Sequence, residues 1–201
     1  MPTCLVLAAG ASRRMSGTHK ALLEVEPGVS ALARILRVSR SAGLPAARVV
    51  LGAQSGALSP VVLAEGGIVI HNPRWDRGRT GSVKWGLREI APEGFPVLLW
   101  PVDHPWVLPR TIASLLSRAA NDPSAHWWIP TYEGRGGHPV LVGLPARAEV
   151  LGYGDDEPLF RYPHEHPEVT VHVPVDDPGI LWNTDTPQAY RTARGAREIP
   201  P

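Results

Sequence analysis

Apolar runs of four to six residues alternate along the chain with longer stretches whose apolar residues recur at helical spacing. That alternation predicts an α/β domain on a mainly parallel sheet. Residues 3–8 form the first predicted strand. The stretch 29–42 carries Leu32, Ile35, Leu36 and Val38 at helix spacing and stops at Gly43 and Pro45. Further strands are expected at 48–51, 68–70, 96–100, 126–129, 139–142 and 169–173. Helices are expected at 58–64, at 80–90 with Val83, Leu87 and Ile90 on one face, at 109–119 opened by Pro109, and at 186–193. The expected architecture is a single three-layer α/β/α Rossmann-like domain over residues 1–195, with a frayed tail at 196–201. Doubly wound sheets bind ligands beyond the carboxyl ends of their strands. The loop 9–20, the segment 101–105 and the segment 182–187 are therefore expected to converge.

Composition narrows the partners. Twenty basic residues balance 19 acidic ones for a net charge of +1, and no basic run stands out. That argues against a nucleic-acid or anionic-membrane partner. No apolar stretch approaches the ~20 residues needed to span a bilayer. The first apolar run has no basic segment ahead of it, so a secretory leader is not expected and a cytoplasmic location is. The single Cys4 lies in the first strand and reads as a buried structural thiol. His164-x-His166 lacks a nearby third ligand for zinc, and no G-x-S-x-G elbow supports a serine hydrolase.

The candidate chemistry begins where the first strand stops. Leu7-Ala8-Ala9-Gly10-Ala11-Ser12-Arg13-Arg14-Met15-Ser16-Gly17 runs from small residues into two arginines and a glycine, and Lys20 follows. Small residues let backbone N–H groups approach an anion, and cations neutralise it, as a triphosphate requires. A plain strand-to-helix turn with solvated arginines is the alternative. Six residues separate Gly10 from Gly17, and Ala21 follows Lys20, so this is no Walker loop. Ser12 stands where a dinucleotide fingerprint needs its second glycine. Asp103, held between Pro101 and Pro105 after an apolar strand, suits a hard cation shared with phosphates. Asn183-Thr184-Asp185-Thr186-Pro187 supplies a second oxygen-rich segment, although Thr186-Pro187 also makes a helix start that Asp185 would cap. Thr80-Gly81-Ser82 offers capping hydroxyls and N–H groups.

Residues Leu7 to Lys20 resemble the L-A-A-G-x-S-x-R-M-…-K signature of the MobA-like nucleotidyltransferases. That group includes molybdenum cofactor cytidylyl- and guanylyltransferases and, more distantly, sugar-phosphate and methylerythritol-phosphate nucleotidyltransferases. His19 replaces the usual proline before the lysine, and the Met15-to-Lys20 spacing is longer than the commonest form. The resemblance implies the nucleotide-diphospho-sugar transferase type of fold. It implies nucleotide contacts from Leu7, Ala8, Ala9, Gly10, Ser12, Arg14, Lys20, Gly81 and Ser82, with Arg14, Lys20 and Asp103 as catalytic groups. Asn72 to Ser82, with Gly86-Leu87, resembles the family's N-x-x-W-x-x-G-x-x-x-S-…-G-L segment. Asp103-His104-Pro105 stands for its metal-binding D-x-P, often D-Q-P. Asn183 replaces the first carboxylate of D-x-D-T-P, leaving Asp103, Asn183 and Asp185 as candidate Mg²⁺ ligands. Gly136-Gly137-His138-Pro139 matches a G-H-P-V element, and Gly154-Asp155 resembles a G-D stretch of the cytidylyltransferase branch. Gly137, His138 and Asp155 are thus acceptor-side candidates. A structural histidine and an ordinary acidic loop are their alternatives.

The implied activity is transfer of NMP from an NTP, CTP favoured, to a phosphorylated acceptor such as molybdopterin cofactor, releasing pyrophosphate. A molybdoenzyme or an insertion chaperone is the implied protein partner. The alternatives are a sugar-phosphate or other small-molecule nucleotidyltransferase, a nicotinamide oxidoreductase, and a non-catalytic nucleotide- or cofactor-binding chaperone.

Overall fold

The computed structural model describes residues 1–12 and 19–198. Its strands are β1 (Thr3–Ala8), β2 (Glu24–Glu26), β3 (Val29–Ser30), β4 (Arg48–Leu51), β5 (Ile68–His71), β6 (Val97–Pro101), β7 (Trp127–Tyr132), β8 (Arg135–Gly136), β9 (Val140–Val142) and β10 (Thr170–Pro174). Its α-helices are α1 (Ala31–Ser41), α2 (Ser55–Ala64), α3 (Arg79–Arg88), α4 (Pro109–Asn121), α5 (Leu144–Gly152), α6 (Arg161–Glu165) and α7 (Pro187–Glu198). The large sheet runs β10-β7-β9-β6-β1-β4-β5, with β8 on the end of β7, and β2–β3 form a separate hairpin. Every pairing along that path is parallel except those of β9, which lies antiparallel to both β6 and β7.

β1 shows why three layers form. Successive strand side chains point to opposite faces, and both faces of β1 are covered. Cys4, Val6 and Ala8 pack with Leu32 and Ile35 of α1, Leu58 of α2 and Leu115 of α4. Leu5 packs the other way, with Val83 and Leu87 of α3 and Val150 of α5. Burial pushes the Cys4 thiol up to about 12, as befits a core thiol. On α3, a Cβ at Gly86 would stand 2.7 Å from a Leu5 methyl, so this glycine sets how closely α3 lies on β1.

Between β1 and β6 the connections part, because β1 leads through α1 to β4 on one side while β6 lies on the other. This is the switch point at which an α/β sheet opens a crevice. Since β1, β4 and β6 are parallel, Ala8, Leu51 and Pro101 end at the same rim. The Val102 N–H donates to the Leu7 carbonyl at 3.1 Å and ties the two exits together.

Candidate active site

At that rim lies a cleft of about 290 Å³. Leu7, Ala8, Ala9 and Gly10 from the β1 exit form one wall, and Pro101, Val102 and Asp103 from the β6 exit another. Lys20, Trp75, Arg79 and Ser82 close it. A Cβ on Gly10 would meet no other described residue within 4 Å, and Gly10 lines the cleft. Arg14 lies outside the described residues.

His19, the departure from the proline signature, anchors the two ends of the loop. Its Nε2 hydrogen-bonds the Gly10 carbonyl at 2.8 Å, and its Nδ1 accepts the Ala21 N–H at 3.2 Å. With Nδ1 as acceptor, Nε2 carries the proton, and the ring is neutral. Burial, set against the Gly10 hydrogen bond, holds its pKa below the usual imidazole value. Ser12 adopts a positive φ of 50° and its hydroxyl accepts the Lys20 N–H at 3.2 Å.

Lys20 Nζ then bridges two carboxylates from distant segments. It donates to Asp103 Oδ2 at 2.9 Å and to Asp185 Oδ1 at 3.1 Å. The other Asp103 oxygen receives His104 Nδ1 at 3.2 Å. Burial on its own would raise the Asp103 pKa; the His104 hydrogen bond and the Lys20 charge outweigh it and hold the carboxyl well below the usual range. Asp103 is therefore a buried, fully ionised group.

The Asp103 turn is braced from every side. Thr184 N–H donates to its carbonyl at 2.8 Å, which joins the 182–187 segment to it. Trp100 Nε1 donates to the His104 carbonyl at 2.9 Å. Arg34, buried on α1, reaches the carbonyls of Pro105 and Val107 and pairs with Glu26 at 2.8 Å. Asp177, also buried, takes Leu108 N–H and the Thr111 hydroxyl. Arg34 and Asp177 belong to no motif in the sequence, and Thr184 enters only within the 183–187 segment; the one local sign of this bracing is a charged residue amid the apolar positions of α1.

The Thr186 hydroxyl accepts the Ala189 N–H at 3.1 Å and caps α7, so Asp185 points at Lys20 instead of capping. Asn183 Oδ1 accepts the Asp185 N–H at 3.1 Å, which fixes the turn and leaves the amide oxygen a second lone pair. Gly81 gives its N–H to the Asp155 carbonyl at 2.9 Å rather than to the cleft. Ser82 does line the cleft, its hydroxyl receiving Asn72 Nδ2 at 3.0 Å. Asp155 pairs with Lys84 at 2.7 Å, and its backbone lies 2.1 Å from where a Cβ on Gly78 would stand. That strand of contacts locks the start of α3 to the 153–157 segment. Gly137 and His138 line a second cavity beside His104. Away from this rim, His166 pairs with Glu149 at 2.9 Å and Arg161 holds both oxygens of Glu165.

Comparison with known proteins shows the chain's family and fold. The family model of the MobA-like NTP transferase domain matches residues 4–169. A molybdenum cofactor guanylyltransferase of Rhodopseudomonas palustris (strain HaA2) is 28% identical over 206 residues, covering 96% of this chain and 91% of that protein. A nucleotidyl transferase from Methanothermobacter thermautotroptrophicus superposes with a TM-score of 0.82 at 24% identity, covering 99% of each chain. The manganese complex of Rv0371C from Mycobacterium tuberculosis H37Rv superposes with a TM-score of 0.77 at 22% identity, over 96% of this chain and 98% of that one.

Proposed function

We propose that this chain, which belongs to the MobA-like NTP transferase family, transfers NMP from CTP to a small phosphorylated acceptor of the molybdopterin type with the help of Mg²⁺. One observation carries the reading: the Lys20 ammonium is shared between Asp103 and Asp185 on the rim of a cleft walled by Leu7 to Gly10. Two carboxylates converging on one positive charge, beside the Asn183 amide oxygen, make an all-oxygen donor set that fits a hard divalent cation. Asp103 and Asp185 would hold Mg²⁺, with Asn183 adjoining. When bound, the ion neutralises phosphate charge.

The remaining work falls to the chain's own groups. A terminal phosphate oxygen of the acceptor attacks the α-phosphorus, forming the new P–O bond. The bond from that phosphorus to the oxygen bridging it to the β-phosphate breaks, and pyrophosphate leaves with the electron pair. The acceptor phosphate is already anionic at neutral pH, so alignment and charge stabilisation suffice. Lys20 exchanges its carboxylate partners for oxygens of the leaving pyrophosphate. Backbone N–H groups beyond Ala8 approach the phosphates where Gly10 leaves open space.

CTP as donor rests on the Gly78-to-Ser82 loop, the His138-Pro139-Val140 element and the Gly154-Asp155 stretch shared with the cytidylyl branch. In this protein the first and last form one unit, because the Asp155 carbonyl receives the Gly81 N–H. The Rhodopseudomonas relative transfers guanylyl, by its name, and makes GTP the donor to test against CTP. The test is pyrophosphate release with each common NTP, molybdopterin and Mg²⁺. CTP is expected to give the highest turnover, and Asp103→Asn to lower it by at least about 10²–10³-fold with the melting temperature retained. Full turnover in that variant would remove Asp103 from the mechanism.

A further inference from the structure

Arg79 is the first residue of α3, and it lines the nucleotide cleft. Its backbone is fixed from behind, because Gly78 before it packs against the Asp155 backbone where a Cβ would stand. The three residues after it are committed to other partners. The Thr80 hydroxyl donates to the Glu157 carbonyl, the Gly81 N–H donates to the Asp155 carbonyl, and the Ser82 hydroxyl accepts from Asn72 Nδ2. Arg79 differs from them. Its side chain is exposed and forms no ion pair or hydrogen bond among the described residues.

The cleft needs such a charge. Among the described residues, Lys20 and Arg79 are the fixed cations that line it, against Asp76 and Asp103. The Lys20 ammonium is already shared by Asp103 and Asp185. A triphosphate and an acceptor phosphate must nonetheless meet here, two anions that repel each other at close range. Helix α3 adds the positive end of its dipole, since its first turn holds no acidic residue. The two cations also come from opposite faces of the sheet. Ala21, next to Lys20, packs in the layer of α1, whereas Val83 and Leu87 of α3 pack in the other. The Arg79 charge is felt on the His104 side of Asp103 as well. After burial and the His104 charge, it helps to lower the pKa of His138, whose ring stands 4.7 Å from that of His104.

We propose that Arg79 holds the acceptor's phosphate monoester by a forked pair of N–H···O bonds and presents its remaining oxygen to the α-phosphorus, opposite Lys20 on the leaving group. The inference rests on the transferase reading and adds to it the residue that selects the nucleophile. An in-line displacement brings the attacking oxygen from the side away from the departing pyrophosphate. Cations on opposite faces of the sheet suit that geometry. The guanidinium stays protonated throughout and exchanges no proton. Two phosphate oxygens match its fork, and the third forms the new P–O bond. A hydroxyl acceptor would give the fork a single oxygen and would need a base besides.

The experiment compares the intact chain with Arg79→Met, Arg79→Ala and Arg79→Lys, using molybdopterin, CTP and Mg²⁺. Titration calorimetry should show molybdopterin bound about tenfold more weakly by Arg79→Met, with CTP affinity within about twofold of the parent. Pyrophosphate release should fall by about 10²-fold in Arg79→Ala. Arg79→Lys should recover part of it, keeping the charge without the fork. Guanidinium chloride, below the concentrations that unfold the chain, should restore turnover to Arg79→Ala where sodium chloride does not. The melting temperature should hold in all three variants, the side chain being exposed. Parent-level molybdopterin affinity and turnover in Arg79→Ala, or a loss confined to CTP binding, would overturn the assignment. If the parent releases no pyrophosphate with any NTP, the transferase reading fails and takes this inference with it. An active parent matched by Arg79→Ala defeats this inference alone.

Discussion

Lys20 occupies the point where two carboxylates meet, so its ammonium competes with any other cation for that place. Removing the charge while keeping the stem should therefore open the site in the absence of nucleotide. Lys20→Met is expected to raise the affinity of the nucleotide-free protein for Mn²⁺ by about tenfold, read from the free-ion EPR signal. Turnover should fall by about 10²-fold in the same variant, because the leaving pyrophosphate loses its cation. Unchanged Mn²⁺ affinity would mean that the ammonium does not hold the cation position. Gly10 separates function from folding in a second way. A Cβ there touches no other described residue, so Gly10→Ala should melt like the parent while KM for CTP rises by about tenfold. Asp103, Lys20 and Ser82, which line the cleft, were legible as candidates because each follows a strand end or opens a helix in a recognisable motif. His19 was visible only as a departure from the signature; its two ring hydrogen bonds depend on folding Gly10 back against Ala21.

Arg34 joins an element to the chemistry, since α1 carries it and the Asp103 turn depends on it. Arg34→Met should cost about 3 kcal/mol of stability, as two buried carbonyls lose their donor. It should also lower turnover more than it changes CTP binding, because it loosens the turn rather than the Gly10 wall. Denaturant melts and steady-state kinetics check both. Continuous apolar runs were readable from sequence: strand Thr3–Ala8 and strand Arg48–Leu51 begin and end where those runs place them. Helix α3 starts at Arg79 after Gly78, whose φ of 137° and tight fit against Asp155 are tertiary facts with no local sign. Helices α5 and α6 escaped the pattern for physical reasons. Helix α5 buries only Ala146 and Val150, and α6 is five residues long with Pro163 inside it. The β2–β3 hairpin is likewise too short for a period of two to show.

Across the whole molecule, the sheet order brings residues 10, 20, 103 and 185 to one rim, and no helix among the described residues is long and apolar enough to cross a membrane. The same packing half-buries His138, with its Nδ1 fully covered, and makes stability depend on pH. Burial, with the neighbouring His104 and Arg79 opposing the Asp103 charge, lowers His138 from 6.5 to about 4. Between those values the unfolded chain binds the proton and the folded one does not, so stability falls as pH drops through that window. His19, also lowered, adds in the same direction. Thermal melts from pH 7 to pH 4 should show the loss, with a shallower slope in His138→Gln. The decisive measurement for the transferase reading follows the phosphorus atoms themselves: CTP carrying label at the α- or the γ-phosphorus is incubated with molybdopterin, Mg²⁺ and the protein. The α label should appear in the acceptor and the γ label in pyrophosphate. Release of the γ label as orthophosphate, or its arrival on the acceptor, would contradict nucleotidyl transfer at this cleft.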